Sequence, residues 1–287
     1  MPAHGRSHRR GLAGAVNSTL GRFLGLALLI WVAAWLPIGL WVGDPDFVLT
    51  RVSRGTTERQ LYQWLLYGGL ILAFFYFWQK HAPLRPKWGK PMLFVGYFVQ
   101  GLLATLVLRG VLTGLELVSW SVPDPSLFRV VEVVGGCLAV ALVEEALFRG
   151  FLLGTLAQKL GFQKGLILSS ALFALVHLFR PGDVVFKLAY GLGLFLLGYL
   201  LGSIAWHHNA IFASAGFHGG IILLNIGTQV VTFQPSLWSG AESEPVSGAV
   251  SLLLTLLYLG GWKKFASGKG SNEVERHEEN VSKLSNP

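Results

Sequence analysis

One cysteine in 287 residues, Cys137, leaves no partner for an intramolecular disulfide, so no crosslinked framework can organise this chain. Its expected role is that of a small packing residue. Charge is scarce as well. Asp, Glu, Lys and Arg make up 13% of the chain while hydrophobic residues make up 52%, and the mean hydropathy is +0.53. About a quarter of the residues of an ordinary soluble domain are charged, so this deficit points to lipid rather than water as the surrounding medium. Alternating apolar and polar positions are missing from the apolar runs, which argues against a transmembrane β-barrel.

What the chain does have is long apolar runs, each close to the roughly 20 residues that cross about 30 Å of hydrocarbon as a helix. Eight are read: 23–42, 61–78, 91–108, 130 to about 157, 166–179, 188–206, 210–233 and 246–262. The expected fold is therefore all-α, a polytopic membrane bundle. The first run follows a basic start, but its length and the lack of a small-x-small cleavage site favour a retained span over a signal peptide.

The net charge of +8 is distributed by topology. With the amino terminus inside, Arg6, Arg9, Arg10, Arg22, Lys80, Arg85, Lys87, Lys90, Arg149, Lys159, Lys164 and the basic residues after 262 fall on the cytoplasmic side. Arg51, Arg54, Arg59, Arg109, Arg129, Arg180 and Lys187 fall outside. This bias matches the positive-inside rule for a multi-pass protein with both termini cytoplasmic. The expected location is an inner membrane of bacterial type, the expected environment a lipid bilayer, and no nucleic-acid partner is needed to explain the charge. Residues 1–22 read as a basic cytoplasmic segment, 23–262 as one membrane domain and 263–287 as a tail, both ends too polar to pack. Gly198 with Gly202, and Gly135, Gly136 and Ala139, offer thin faces for helix packing.

"LVEEALFRG", residues 142–150, places three charges inside an apolar run. An ionisable group at mid-bilayer costs roughly 2.5–3.5 kcal/mol on insertion scales, so function is the default reading, although Arg149 alone is also explicable by snorkelling. Glu145 and Arg149 are spaced to pair on one helix face. Glu144 lies about 140° from the arginine and is left as the carboxylate suited to proton exchange. "FALVH" places His177 in the next apolar run, where a histidine is otherwise most often a packing residue. Measured from the turn between Lys159 and Lys164, Glu144 is roughly 22 Å deep and His177 roughly 20 Å, on antiparallel neighbours. In "SAGFHGGIILLN", His218 is roughly 14 Å from Asn209, with Gly219 and Gly220 leaving room beside it.

A carboxylate and an imidazole can hold and deprotonate a water, and a second imidazole can donate to the oxyanion formed when that water attacks a carbonyl. The same set could hold zinc, but no H-E-x-x-H motif is present, and the expectation is no cofactor, bound zinc being the minority alternative. Ser170, about 10.5 Å along the helix from His177, is too far for serine catalysis.

These residues resemble a known family. "EEALFR" is similar to the E-E-x-x-x-R motif, "FALVH" to F-x-x-x-H, and "FHGG" to the third, histidine-bearing motif of the CAAX-protease and bacteriocin-processing intramembrane proteases, akin to type II CAAX prenyl endopeptidases. The likeness covers about residues 130–232. It implies a glutamate-type intramembrane endopeptidase with an eight-helix fold and an intramembrane cavity open to the cytoplasmic side, whose substrate is a peptide or membrane-anchored protein. Glu144 with His177 would activate water, His218 would help form the oxyanion site, and Glu145, Arg149 and Phe173 would support them. The family pattern often has Asn or another polar residue four positions after the last histidine. Here that place is Ile222, and Asn225 is the nearest substitute. Two other classes fit the polar groups: a non-catalytic scaffold such as an immunity or maturation partner, and a proton-coupled transporter, which the lack of paired broken helices disfavours.

Overall fold

The computed structural model describes residues 4–43, 57–81, 86–121, 127–178, 184–227, 231–240 and 245–266. The tail from 267 onward, Arg51, Arg54, Arg85, Arg180, Pro123 and Pro125 lie outside the described residues. In chain order the helices are α1 (His4–Val42), α2 (Thr57–His81), α3 (Pro91–Gly114), α4 (Leu127–Glu145), α5 (Gly154–Leu160), α6 (Phe162–His177), α7 (Val184–His208), α8 (Ile211–Ile222) and α9 (249–266). Two π-helical segments extend them, Ala146–Leu153 between α4 and α5, and Leu223–Gly227 after α8.

Among the described residues, three helices are long and apolar enough to cross a membrane, within Gly25–Val42, Pro91–Gly114 and Val184–His208. Trp64–Ala73, Phe162–His177 and Ile211–Asn225 are apolar but shorter. Large side chains such as Leu40, Trp64, Met92 and Leu127 are mostly exposed, as expected where lipid rather than water covers the surface. The chain is a mostly helical membrane protein.

Two details depart from an all-α reading. Val118–Trp120 (β1) pairs antiparallel with Val231–Phe233 (β2), so the seventh apolar run stops as helix at Gly227 and its last residues form a strand. α1 begins at His4, so the basic segment before residue 22 continues the helix rather than lacking structure.

α3 and α8 make the most extensive pairing. Their backbones touch because Gly101, Gly216 and Gly220 have no side chain there: a Cβ on Gly101 would lie 2.2 Å from the Phe217 carbonyl oxygen, and one on Gly220 would lie 2.3 Å from that of Phe98. Gly198 and Gly202 seat α7 against Ser170, Phe173 and Leu166 of α6. Gly135 and Gly136, by contrast, face open space among the described residues. Gly161, with φ +81°, reverses the chain between α5 and α6, a conformation that side chains beyond glycine rarely adopt. The antiparallel α6 that follows brings His177 back toward α4.

Candidate active site

Glu144 and Glu145 end α4, and Arg149 sits in the π-helical segment that follows. Widened turns of this kind interrupt α-helices most often at functional sites, and this one lies at the junction of α4, α6, α7 and α8. Glu145 and Arg149 are 0% and 2% exposed. A guanidinium and carboxylate buried this deeply are tolerable only when paired. Arg149 Nη1 lies 2.9 Å from Glu145 Oε1, and Arg149 Nη2 donates to the Gly198 carbonyl at 3.3 Å. Its guanidinium carbon also stands 4.3 Å from the centre of the Phe173 ring, within cation–π range.

Phe173 is the surface on which the cluster is assembled. The Phe148 ring meets it edge-on at 5.1 Å, the His177 ring lies 4.7 Å away and the His218 ring 6.0 Å away. Through it, one apolar side chain of α6 fixes the arginine of the π segment and both imidazoles.

The imidazole tautomers follow from their partners. His177 Nδ1 is 2.7 Å from the Phe173 carbonyl oxygen, which can only accept, so Nδ1–H donates and the lone pair of the neutral ring is on Nε2. That Nε2 is 3.7 Å from Glu144 Oε1. His218 Nδ1 donates to Glu145 Oε1 at 3.0 Å, and its Nε2 is 4.0 Å from Glu144 Oε2. The carboxylate of Glu144 is thus flanked by two imidazole nitrogens, each beyond direct hydrogen-bond length. Glu144 Oε1 and the Nε2 lone pair of His177 both accept, so a donor such as one water can bridge them.

The sequence-based assignment of Glu145 was incomplete. Besides pairing with Arg149 it orients His218, a long-range contact that helical spacing within one segment cannot reveal. Asn225, named above as a substitute polar group, accepts no hydrogen bond from His177 or His218 through its Oδ1. Seven residues beyond His218, on the second π segment, it lines a cavity bounded by α3, α7, α8 and α9, and its Oδ1 is buried without a partner. Ile222 offers only its backbone, the carbonyl accepting a weak contact from Cys137 Sγ at 4.0 Å. Among the described residues no three His, Cys, Asp or Glu side chains are gathered closely enough to ligate one ion.

Helices of membrane length and a buried glutamate flanked by two histidines make this a membrane protein with an interior cluster of ionisable side chains. Residues 126–224 match the model of the family described as type II CAAX prenyl endopeptidase Rce1-like, which bears out the resemblance drawn from the three motifs over that stretch. The matched segment, about a third of the chain, contains Glu144, Glu145, Arg149, Phe173, His177 and His218 and stops short of Asn225. No curated protein and no solved structure matches the chain.

Proposed function

We propose that this protein is an intramembrane endopeptidase that cleaves a peptide bond of a lipidated or membrane-associated substrate with a water activated by Glu144 and His177. The observation that carries this reading is the Glu144 carboxylate set 3.7 Å and 4.0 Å from two Nε2 atoms of opposite neighbours. A water there directs one O–H at Glu144 Oε1 and the other at His177 Nε2. Transfer of one proton to the carboxylate lets the water oxygen attack the substrate carbonyl carbon. The resulting oxyanion takes a hydrogen bond from His218 Nε2–H, which requires the doubly protonated ring, its Nδ1–H held by Glu145. Collapse breaks the C–N bond as the amine nitrogen receives the proton stored on Glu144, and the water's atoms end in the new carboxylate and amine. The matching family model supports a CAAX-protease-type activity.

The topology that fits is the eight-span bundle with both termini cytoplasmic, in a membrane of bacterial inner-membrane type, and the site reached from the cytoplasmic side. The test is cleavage of a synthetic farnesylated peptide ending in a C-a-a-X sequence, and of its unlipidated counterpart, by purified protein. Loss of acid–base groups typically costs a factor of about 10²–10⁴. Parental rates in Glu144→Ala and His177→Ala would remove the reading.

Ile222 favours a second reading, a non-catalytic membrane scaffold of the same fold, because an apolar side chain replaces the polar one that the family pattern often places there. In that case Glu144→Gln keeps full biological activity.

A further inference from the structure

Pro91 opens α3, and Gln100 lies about 14 Å along it, near the middle of roughly 30 Å of hydrocarbon. The side chain is exposed, and its Oε1 accepts a hydrogen bond from the Tyr258 hydroxyl of α9 at 2.9 Å. Its amide NH₂ group is left with no acceptor among the described residues. An amide donor turned to lipid is costly, so the partner that relieves it has to be soluble in the membrane.

Two cavities meet at this pair, one of about 450 Å³ and one of about 330 Å³, each within the size range of ligand pockets. Gln100 and Tyr258 line both. The larger follows α3 from Gln100 to Leu108, about 12 Å of helix, with Phe217 of α8 on its wall. Leu103 and Val107, which also line it, are each 55% exposed, so it opens to the bilayer. The smaller lies toward the start of α3, between Tyr97, Trp262 and Phe265. There the Trp262 ring is 6.3 Å from that of Tyr97 and 5.6 Å from that of Phe265. No Asp, Glu, Lys, Arg or His lines either cavity.

The groove between α3 and α9 thus joins an apolar channel, an accessible donor and an aromatic compartment. A charged headgroup would find no counterion in it. A glyceride is neutral, but it has no ring for the aromatic compartment, and its free hydroxyl is a second donor where the open group already donates. A transmembrane helix, roughly 10 Å across, is too thick to enter. A flat ring with carbonyl acceptors and a long apolar tail meets all three features. We infer that this groove binds an isoprenoid quinone, the ring in the aromatic compartment, one carbonyl accepting from Gln100 Nε2–H, and the tail in the larger cavity toward Leu108. The site is distinct from the Glu144 cluster: on α8, Phe217 lines the cavity while the next residue, His218, is bonded to Glu145. The inference does not rest on the peptidase reading, and its test measures no activity.

The test is native mass spectrometry of the delipidated full chain in detergent, titrated with phylloquinone and, separately, with dioleoylglycerol. One phylloquinone per chain is expected, retained at about tenfold lower concentration than the glyceride, which is the factor one hydrogen bond supplies. Gln100→Leu is expected to erase that preference. Ala104→Phe narrows the tail cavity, leaves Gln100 in place and is expected to weaken quinone binding about tenfold; it decides alone if the Gln100 variant does not stay monodisperse. Quinone uptake that rises without saturation, equal retention of the two ligands, or parental quinone binding in either variant overturns the proposal. A dimer of the parent that Gln100→Leu dissociates overturns it too, because the amide would then be a contact between helices.

Discussion

The two adjacent glutamates are expected to fail in opposite ways. Glu145→Gln keeps the shape of the side chain but removes the charge that compensates Arg149, leaving a 2% exposed guanidinium with the Gly198 carbonyl at 3.3 Å and the Phe173 ring as its remaining partners. Breaking a buried pair from one side costs about 3–5 kcal/mol. For a chain of this size such a loss lowers the thermal midpoint by on the order of 10 °C. Glu144→Gln should be nearly neutral for stability, within about 1 kcal/mol, because neither imidazole is within direct hydrogen-bond reach of its carboxylate. Its cleavage rate should fall by a factor of about 10²–10⁴. The assay is a thermal melt of both variants in detergent beside peptide cleavage at a temperature where both remain folded. Equal destabilisation by the two substitutions would refute the division, since Glu144 would then belong to the supporting network.

Further outcomes follow from the same geometry. Gly220→Ala must push α8 away from the Phe98 carbonyl and should cost about 1–3 kcal/mol while displacing His218, whereas Gly219→Ala meets only ordinary contacts with Leu138, Ala141 and Phe98 and should be mild; paired melts and rates check this. Phe173→Leu removes the ring under Arg149 and both imidazoles and should cost about 2 kcal/mol, with cleavage slowed even where the protein stays folded. Ile222→Asn should raise the cleavage rate if an oxyanion donor is what this position lacks, up to the factor of about 10²–10³ that one donor supplies; an unchanged kcat would point to a donor elsewhere.

Much of the site was legible because it rests on local spacing and on depth. Residues four apart pair on a helix, so Glu145 and Arg149 could be joined from the sequence. Counting from the turn at Gly161 put Glu144 and His177 at one level because two straight antiparallel helices share a rise. His218 is shallower by the same count and reaches the others only if the helices tilt; it does meet the cluster, its Nε2 4.0 Å from Glu144 and its Nδ1 bonded to Glu145. The π segment from Ala146 to Leu153 was not legible, since hydrophobic periodicity does not distinguish a widened turn inside an apolar run. Nor was the β1–β2 ribbon, whose three-residue strands lie more than 100 positions apart and are too short to show alternation. The spacing of Asn225 already told against it: seven residues return to one face of a helix but also climb about 10.5 Å, and the residue lines the neighbouring cavity.

The most direct measurement is a single turnover of the peptide substrate in ¹⁸O-labelled water, with the new carboxylate analysed by mass spectrometry. The account predicts one solvent oxygen in the carboxylate made by the parent and no labelled product from Glu144→Gln on the same timescale. Unlabelled product, or labelled product from Glu144→Gln at the parental rate, would contradict it.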